Sequence, residues 1–136
     1  MSSDNKKIIS VVAPSSAGKD PSHLESSIKY YSDLGFQVKH PKDMLDFSNT
    51  FHANTDEFRS QTLIDALTGD AKIIWSWKGG YGSSKLIPTL LHLPKPQTEK
   101  VFIGFSDITA LHIFLNQHWG WKTIHGASFS NPVRKE

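Results

Sequence analysis

The chain has 136 residues, 38% of them hydrophobic, with 4 Trp, 8 Phe and 3 Tyr. That is enough for one packed domain and too apolar for a disordered tail. Fifteen Lys and Arg against 13 Asp and Glu leave a formal +2 with the charges interspersed, so neither nucleic acid nor a membrane is expected as partner. With 0 Cys, disulfides, Cys-ligated metal centres and thiol nucleophiles are excluded.

From the N-terminus, Met1–Lys7 lacks the apolar stretch of a secretory signal, and no apolar run is long enough to span a bilayer. A cytoplasmic protein is expected. Lys7-Ile8-Ile9-Ser10-Val11-Val12-Ala13 reads as a buried strand. Asp20 is a good N-cap, with Pro21 at the first helical position. Leu24, Ile28 and Tyr31 follow at helical spacing, and Gly35 ends the helix. Phe36-Gln37-Val38 is a short second strand, and residues 41–53 read as a loop. Asn54 and Glu57 have capping-box spacing before a helix faced by Phe58, Leu63, Ile64 and Leu67 and closed by Gly69. Ala71–Trp77 is a third strand. After Gly79-Gly80-Tyr81-Gly82 comes a short helix with Leu86, Ile87, Leu90 and Leu91. Val101–Phe105 is a fourth strand, followed by a helix bearing Ile108, Leu111, His112 and Leu115. Thr123-Ile124-His125 is a fifth.

This alternation predicts an α/β, three-layer domain: a parallel, flavodoxin-like or Rossmann-like sheet with helices on both faces. Ligands belong at the carboxyl ends of its strands. The domain is assigned to residues 1–127. Residues 128–136, with Asn131-Pro132 and three charges in the last four residues, are assigned to the start of a linker.

Three strand-to-helix junctions compete for chemistry. Ala13-Pro14-Ser15-Ser16-Ala17-Gly18-Lys19-Asp20 departs from a phosphate-binding P-loop at both ends and reads as a turn ending in an N-cap. Lys78-Gly79-Gly80-Tyr81-Gly82-Ser83-Ser84 is either a tight turn or a backbone surface for an anion. Its spacing is not G-x-G-x-x-G, so no nucleotide cofactor is expected. Gly104-Phe105-Ser106-Asp107-Ile108-Thr109 fits a capped helix start or a nucleophile elbow, with Ile108 where such elbows carry a small residue. None of His23, His40, His52, His92, His112, His118 or His125 forms a recognised zinc spacing, so no metal is expected. His112 reads as packed or exposed. His125, ending the strand beside Ser106, reads as structural or as an improvised base. Asp56, Glu57 and Arg59 fit helix-start electrostatics.

Together, Val12-Ala13-Pro14-Ser15-Ser16, Thr55-Asp56-Glu57-Phe58-Arg59, Gly79-Gly80-Tyr81-Gly82-Ser83, Gly104-Phe105-Ser106-Asp107-Ile108-Thr109-Ala110-Leu111 and His125-Gly126 resemble the LD-carboxypeptidases, in family order and spacing. The resemblance implies a serine peptidase of peptidoglycan recycling. Its substrate would be a murein-derived peptide, cut between an L-centre and a terminal D-alanine. Ser106 would be the nucleophile, and the backbone N–H groups of Asp107 and Gly80 would hold the oxyanion. Gly79, Tyr81, Gly82, Ser83 and His125 would meet the substrate. Lys78 stands where family members often carry Arg, which keeps the charge but loses the planar fork.

In this family the general-base histidine and its glutamate come from a second, C-terminal domain. The resemblance therefore makes this chain the N-terminal, nucleophile-bearing half, with negligible turnover alone and no cofactor. Two alternatives stand beside it. One is a peptidase of the microcin C resistance type, acting on a peptide–nucleotide conjugate. The other is a catalytically silent domain that binds a peptide or a partner. Without a second domain, exposed apolar surface is expected around Trp75, Trp77, Trp119 or Trp121, with self-association as a homodimer or modest stability.

Overall fold

The computed structural model describes residues 7–20, 22–48 and 51–131. The elements run β1 (Ile8–Val12), α1 (Ser22–Asp33), β2 (Gln37–Lys39), α2 (Asp56–Thr68), β3 (Ile73–Ser76), α3 (Ile87–Leu90), β4 (Val101–Gly104), α4 (Thr109–Trp119) and β5 (Thr123–His125). Single 3-10 turns, Ser83–Leu86 and Ser106–Ile108, lead into α3 and α4. All strand pairs are parallel, in the order β2-β1-β3-β4-β5. This is the flavodoxin-like arrangement, whose strand order reverses between β1 and β3. Its register pairs Val12 with Ser76 and Gly104 with His125, so the carboxyl ends of four strands lie level.

Side-chain alternation along each strand builds one core on each face. On one face Val12, Ile74 and Phe102 pack against Leu63 and Leu67 of α2, Leu90 of α3 and Leu111 and Leu115 of α4. On the other, Ile9, Val11 and Trp77 pack with Tyr31 of α1, Met44 and Ala53 of the long loop, and Phe129. Each fully buried Leu, Ile or Phe contributes about 1.5–3 kcal/mol by leaving water. The second face is covered less completely over β4 and β5: Val101, Phe105 and Ile124 are exposed there. Trp77, Trp119 and Trp121 are buried and Trp75 is half-buried, its Nε1 donating to Ala127 O at 2.8 Å. The expected tryptophan-rich surface is thus replaced by this edge, because the indoles fill the two cores.

Local capping follows the sequence with one shift. Asp20 Oδ1 accepts from the Ser22 amide and hydroxyl at 2.9 and 2.7 Å, while Pro21 lies outside the described residues. At α2 the cap is Thr55, not Asn54: Thr55 Oγ1 accepts from Phe58 N at 3.1 Å. Asn54 is engaged elsewhere, its Oδ1 accepting from Thr55 N and its Nδ2 donating to Asp43 O. Buried Lys100 satisfies carbonyls after the other end of α2, donating to Gly69 O at 2.6 Å and Ala71 O at 2.7 Å. Burial holds its pKa below the ordinary lysine value.

Of the segment assigned to a linker, residues 128–130 pack on the sheet. Phe129 is fully buried, and the amides of Phe129 and Ser130 donate to Ser76 O and Trp77 O at 3.0 Å each. Among the described residues no helix is long and apolar enough to cross a membrane.

Candidate active site

Because β1, β3 and β4 are neighbours, the three junctions named from the sequence meet at one end of the sheet. At the β4 junction, extended Phe105 (φ −150°, ψ 179°) is followed by Ser106 with φ +61°. A non-glycine residue in this region carries strain of about 1–3 kcal/mol, and strained serines on strand-to-helix turns are how nucleophile elbows lift Oγ clear of the sheet. Ser106 is exposed, and its Oγ has no hydrogen-bond partner among the described residues. The turn fits only because residue 104 is glycine. A Cβ there would stand 2.7 Å from Ile108 Cγ2 and 3.1 Å from Ser76 Cβ. Ile108, fully buried, fills the space that a small residue would leave open.

The β3 junction lies against this elbow. A Cβ on Gly79 would meet Ser106 Cβ at 3.1 Å, Ser106 Oγ at 3.4 Å and the Asp107 nitrogen at 3.5 Å. Gly80 has φ +121°, and a Cβ on it would strike Ser16 Oγ at 2.0 Å. Gly79 and Gly80, with Lys78, Phe105, Ser106 and the 128–131 turn, line an open depression of about 430 Å³. Among the described residues neither the Gly80 nor the Asp107 amide donates to another group.

Asp107 joins all three junctions. Its Oδ2 accepts from Ser15 Oγ at 2.5 Å and from Ser83 N at 3.0 Å, and its carbonyl accepts from Ser83 Oγ at 2.5 Å. Ser15 and Ser83 are fully buried, so the carboxylate is the partner that makes their burial tolerable. Arg59, 2% exposed, braces the β1 and β3 junctions from behind. Its Nη1 donates to Pro14 O at 2.5 Å and Gly82 O at 3.0 Å, its Nε to Asn54 O at 3.0 Å, and Nη2 pairs with Asp56. Burial holds the guanidinium pKa below its ordinary value, with Asp56 opposing that shift. Helix-start electrostatics accounts for the Asp56 contact alone.

The remaining site residues are spread more widely. Tyr81 is exposed outside the depression, stacked on His52 at 5.6 Å, with Lys85 Nζ 5.2 Å from its ring centre. Gly82, with φ +113°, starts the 3-10 turn where a Cβ would be 2.6 Å from His52 Cδ2. The side chain of Ser83 faces Asp107, not the depression. His125 is exposed, its ring 6.3 Å from that of Phe105 and 5.9 Å from that of His112, and it makes no hydrogen bond to Ser106 among the described residues. His112 is structural: its nitrogens bond Thr123 Oγ1 at 2.6 Å and Gly104 O at 2.8 Å. The carboxylate of Asp107 and the guanidinium of Arg59 are the site-bracing groups that sequence reasoning missed. The only sequence signal for either was its place in a family-like segment.

Fold and junctions together define a parallel α/β domain presenting an elbow serine beside a glycine turn. The family model for the LD-carboxypeptidase N-terminal domain matches residues 9–126, and the chain belongs to this family. A Rickettsia conorii protein bearing a carboxypeptidase name is 47% identical over 129 residues, 94% of this chain and 40% of that protein. A Bacillus subtilis protein named as a murein peptide carboxypeptidase is 29% identical over 126 residues, 92% of this chain and 39% of its own length. The chain thus spans about two fifths of the curated relatives it matches. Among solved structures, an MccF-like protein from Streptococcus pneumoniae in complex with AMP superposes with a TM-score of 0.77 at 28% identity, covering 96% of this chain and 41% of that one. The microcin C7 self-immunity protein MccF, in complex with aspartyl sulfamoyl adenosine, shares the fold with a TM-score of 0.78 at 22% identity, covering 92% and 38%.

Proposed function

We propose that this chain supplies the nucleophile and oxyanion donors of a cytoplasmic serine LD-carboxypeptidase that releases terminal D-alanine from murein tetrapeptide. The observation that carries the reading is Ser106, held at φ +61° and exposed, with Gly79 packed against it. In this reading Ser106 Oγ attacks the carbonyl of the bond to D-alanine. The amides of Gly80 and Asp107 receive the charge that forms on its oxygen, where donors aimed at the transition state count most. Collapse expels D-alanine and leaves an acyl-serine, which water then hydrolyses.

The serine proton must go to a base, which returns it to the departing D-alanine nitrogen as the C–N bond breaks. Among the described residues neither His112 nor His125 bonds Ser106: His112 holds Thr123 and Gly104, and His125 lies against Phe105. The base is assigned to the part of the family's proteins that this chain does not span. The 136-residue chain should therefore turn tetrapeptide over negligibly, yet accept an acyl group slowly from an activated p-nitrophenyl ester. Intact-mass spectrometry should find one acyl group, on Ser106, and none in Ser106→Ala. Acylation elsewhere, or none, would leave a peptide-binding domain in place of the enzyme.

A second reading, cleavage of a peptide–nucleotide conjugate, draws on the 28%-identical relative solved with AMP. The name of the Bacillus relative points to murein peptide instead. Offering both substrates to a protein that includes the remaining family length separates the two by which one is cut.

A further inference from the structure

We propose that Ser15 and Ser16, consecutive on the β1–α1 loop, are positioning residues that each hold one of the two oxyanion-binding amides. The inference rests on the assignment of Ser106 as nucleophile. Ser16 grips the chain on both sides of Gly80: its N–H donates to Gly79 O at 3.3 Å, and its Oγ accepts from Tyr81 N at 3.3 Å. In a trans peptide the C=O and N–H point in opposite directions. Holding the Gly79 carbonyl on Ser16 therefore points the Gly80 N–H away from Ser16, in a turn whose Gly79 packs against Ser106. The fit is close, since Gly80 leaves to Ser16 Oγ the volume a Cβ would need.

Ser15 acts on the other donor. Its buried hydroxyl fixes Asp107 Oδ2 at 2.5 Å, while Ser83 holds the carbonyl of the same residue. With both ends of Asp107 pinned, the peptide joining it to Ser106 has little freedom to rotate. The loop bearing the two serines is itself anchored: Arg59 holds Pro14 O, Ala53 N donates to Ser15 O at 2.7 Å, and Ser16 Oγ donates to Phe51 O at 2.7 Å. One rigid segment thus presents adjacent hydroxyls to adjacent turns. Such bracing matters because a displacement of about 1 Å in a catalytic group costs on the order of 100-fold in rate.

The test is the kinetics of Ser106 acylation by an activated p-nitrophenyl ester in the whole chain, with Ser15→Ala, Ser16→Ala and Ser16→Thr. Ser16→Ala should lower the limiting acylation rate roughly 10- to 100-fold, with the final labelled fraction and the half-saturating ester concentration unchanged. Ser15→Ala should do the same, and Ser16→Thr, which keeps the hydroxyl, should recover most of the rate. A wild-type rate in both alanine variants overturns the proposal. So does a fall in labelled fraction at unchanged rate, because that reports misfolded protein. If Ser106→Ala is labelled as fast as the parent, it is the nucleophile assignment that fails, which separates the two outcomes.

Discussion

The β1 and β4 junctions are both strand-to-helix turns bearing serine, and they use it in opposite ways. At β1, Ser15 is fully buried and Ser16 half-buried, and both hydroxyls are hydrogen-bonded. At β4, Ser106 is exposed, unbonded among the described residues and held in a left-handed conformation. The residue type is the same; partners and backbone dihedral decide its work. The rigid junction gives up its donors and acceptors to the fold, and the strained one keeps its oxygen available.

The largest way to break this contrast is at Asp107, where the junctions are joined. Asp107→Ala should lower stability by about 2–4 kcal/mol in urea denaturation, because it strands the buried Ser15 hydroxyl and Ser83 amide. Asp107→Asn, which keeps one acceptor oxygen, should lose less. A change under about 0.5 kcal/mol for the alanine variant would mean that the junctions are not coupled through this carboxylate.

The next effect has opposite signs at the two turns. Ser106→Gly should raise stability by about 0.5–1 kcal/mol, since glycine adopts φ +61° without strain and the serine hydroxyl bonds nothing. Ser15→Gly should destabilise, because it strips Asp107 of a buried donor. Equal effects in paired denaturation curves would erase the distinction.

The smallest effect is a pH dependence at His52, beside the glycine turn after β3. Burial, together with Arg59 and Lys85, holds the His52 pKa below the ordinary histidine value. The unfolded chain therefore binds a proton first as pH falls, and the native state loses stability below about pH 6.5 until the folded-state imidazole also protonates. His52→Gln should flatten this part of the pH–stability curve; an unchanged slope would place the titrating group elsewhere.

Much of the fold was legible because its signals are local. β-branched runs, helical spacing and the glycines after α1 and α2 mark the elements, and alternation implies the parallel sheet. The meeting of Ser106, Gly79 and Gly80 at one end of the sheet was legible as well, because they sit where strands end. What was not legible depends on partners distant in sequence. Arg59 reads as a helix-start residue until Pro14 O and Gly82 O, 45 and 23 residues away, are brought to it. Ser83 looks like part of a binding turn, but its hydroxyl is taken by Asp107. The tryptophans look like uncovered surface if a second domain is expected over them, but Trp119 and Trp121 join the core on one face and Trp75 and Trp77 that on the other.

The pairing of Gly104 with Ile108 makes these two positions one shared volume. Enlarging position 104 demands trimming position 108, and an isolated glycine at 108 would spell a conventional elbow while hollowing the core beneath it. A pattern that requires smallness on both sides of a serine would pass over this turn, although the backbone it seeks is already there.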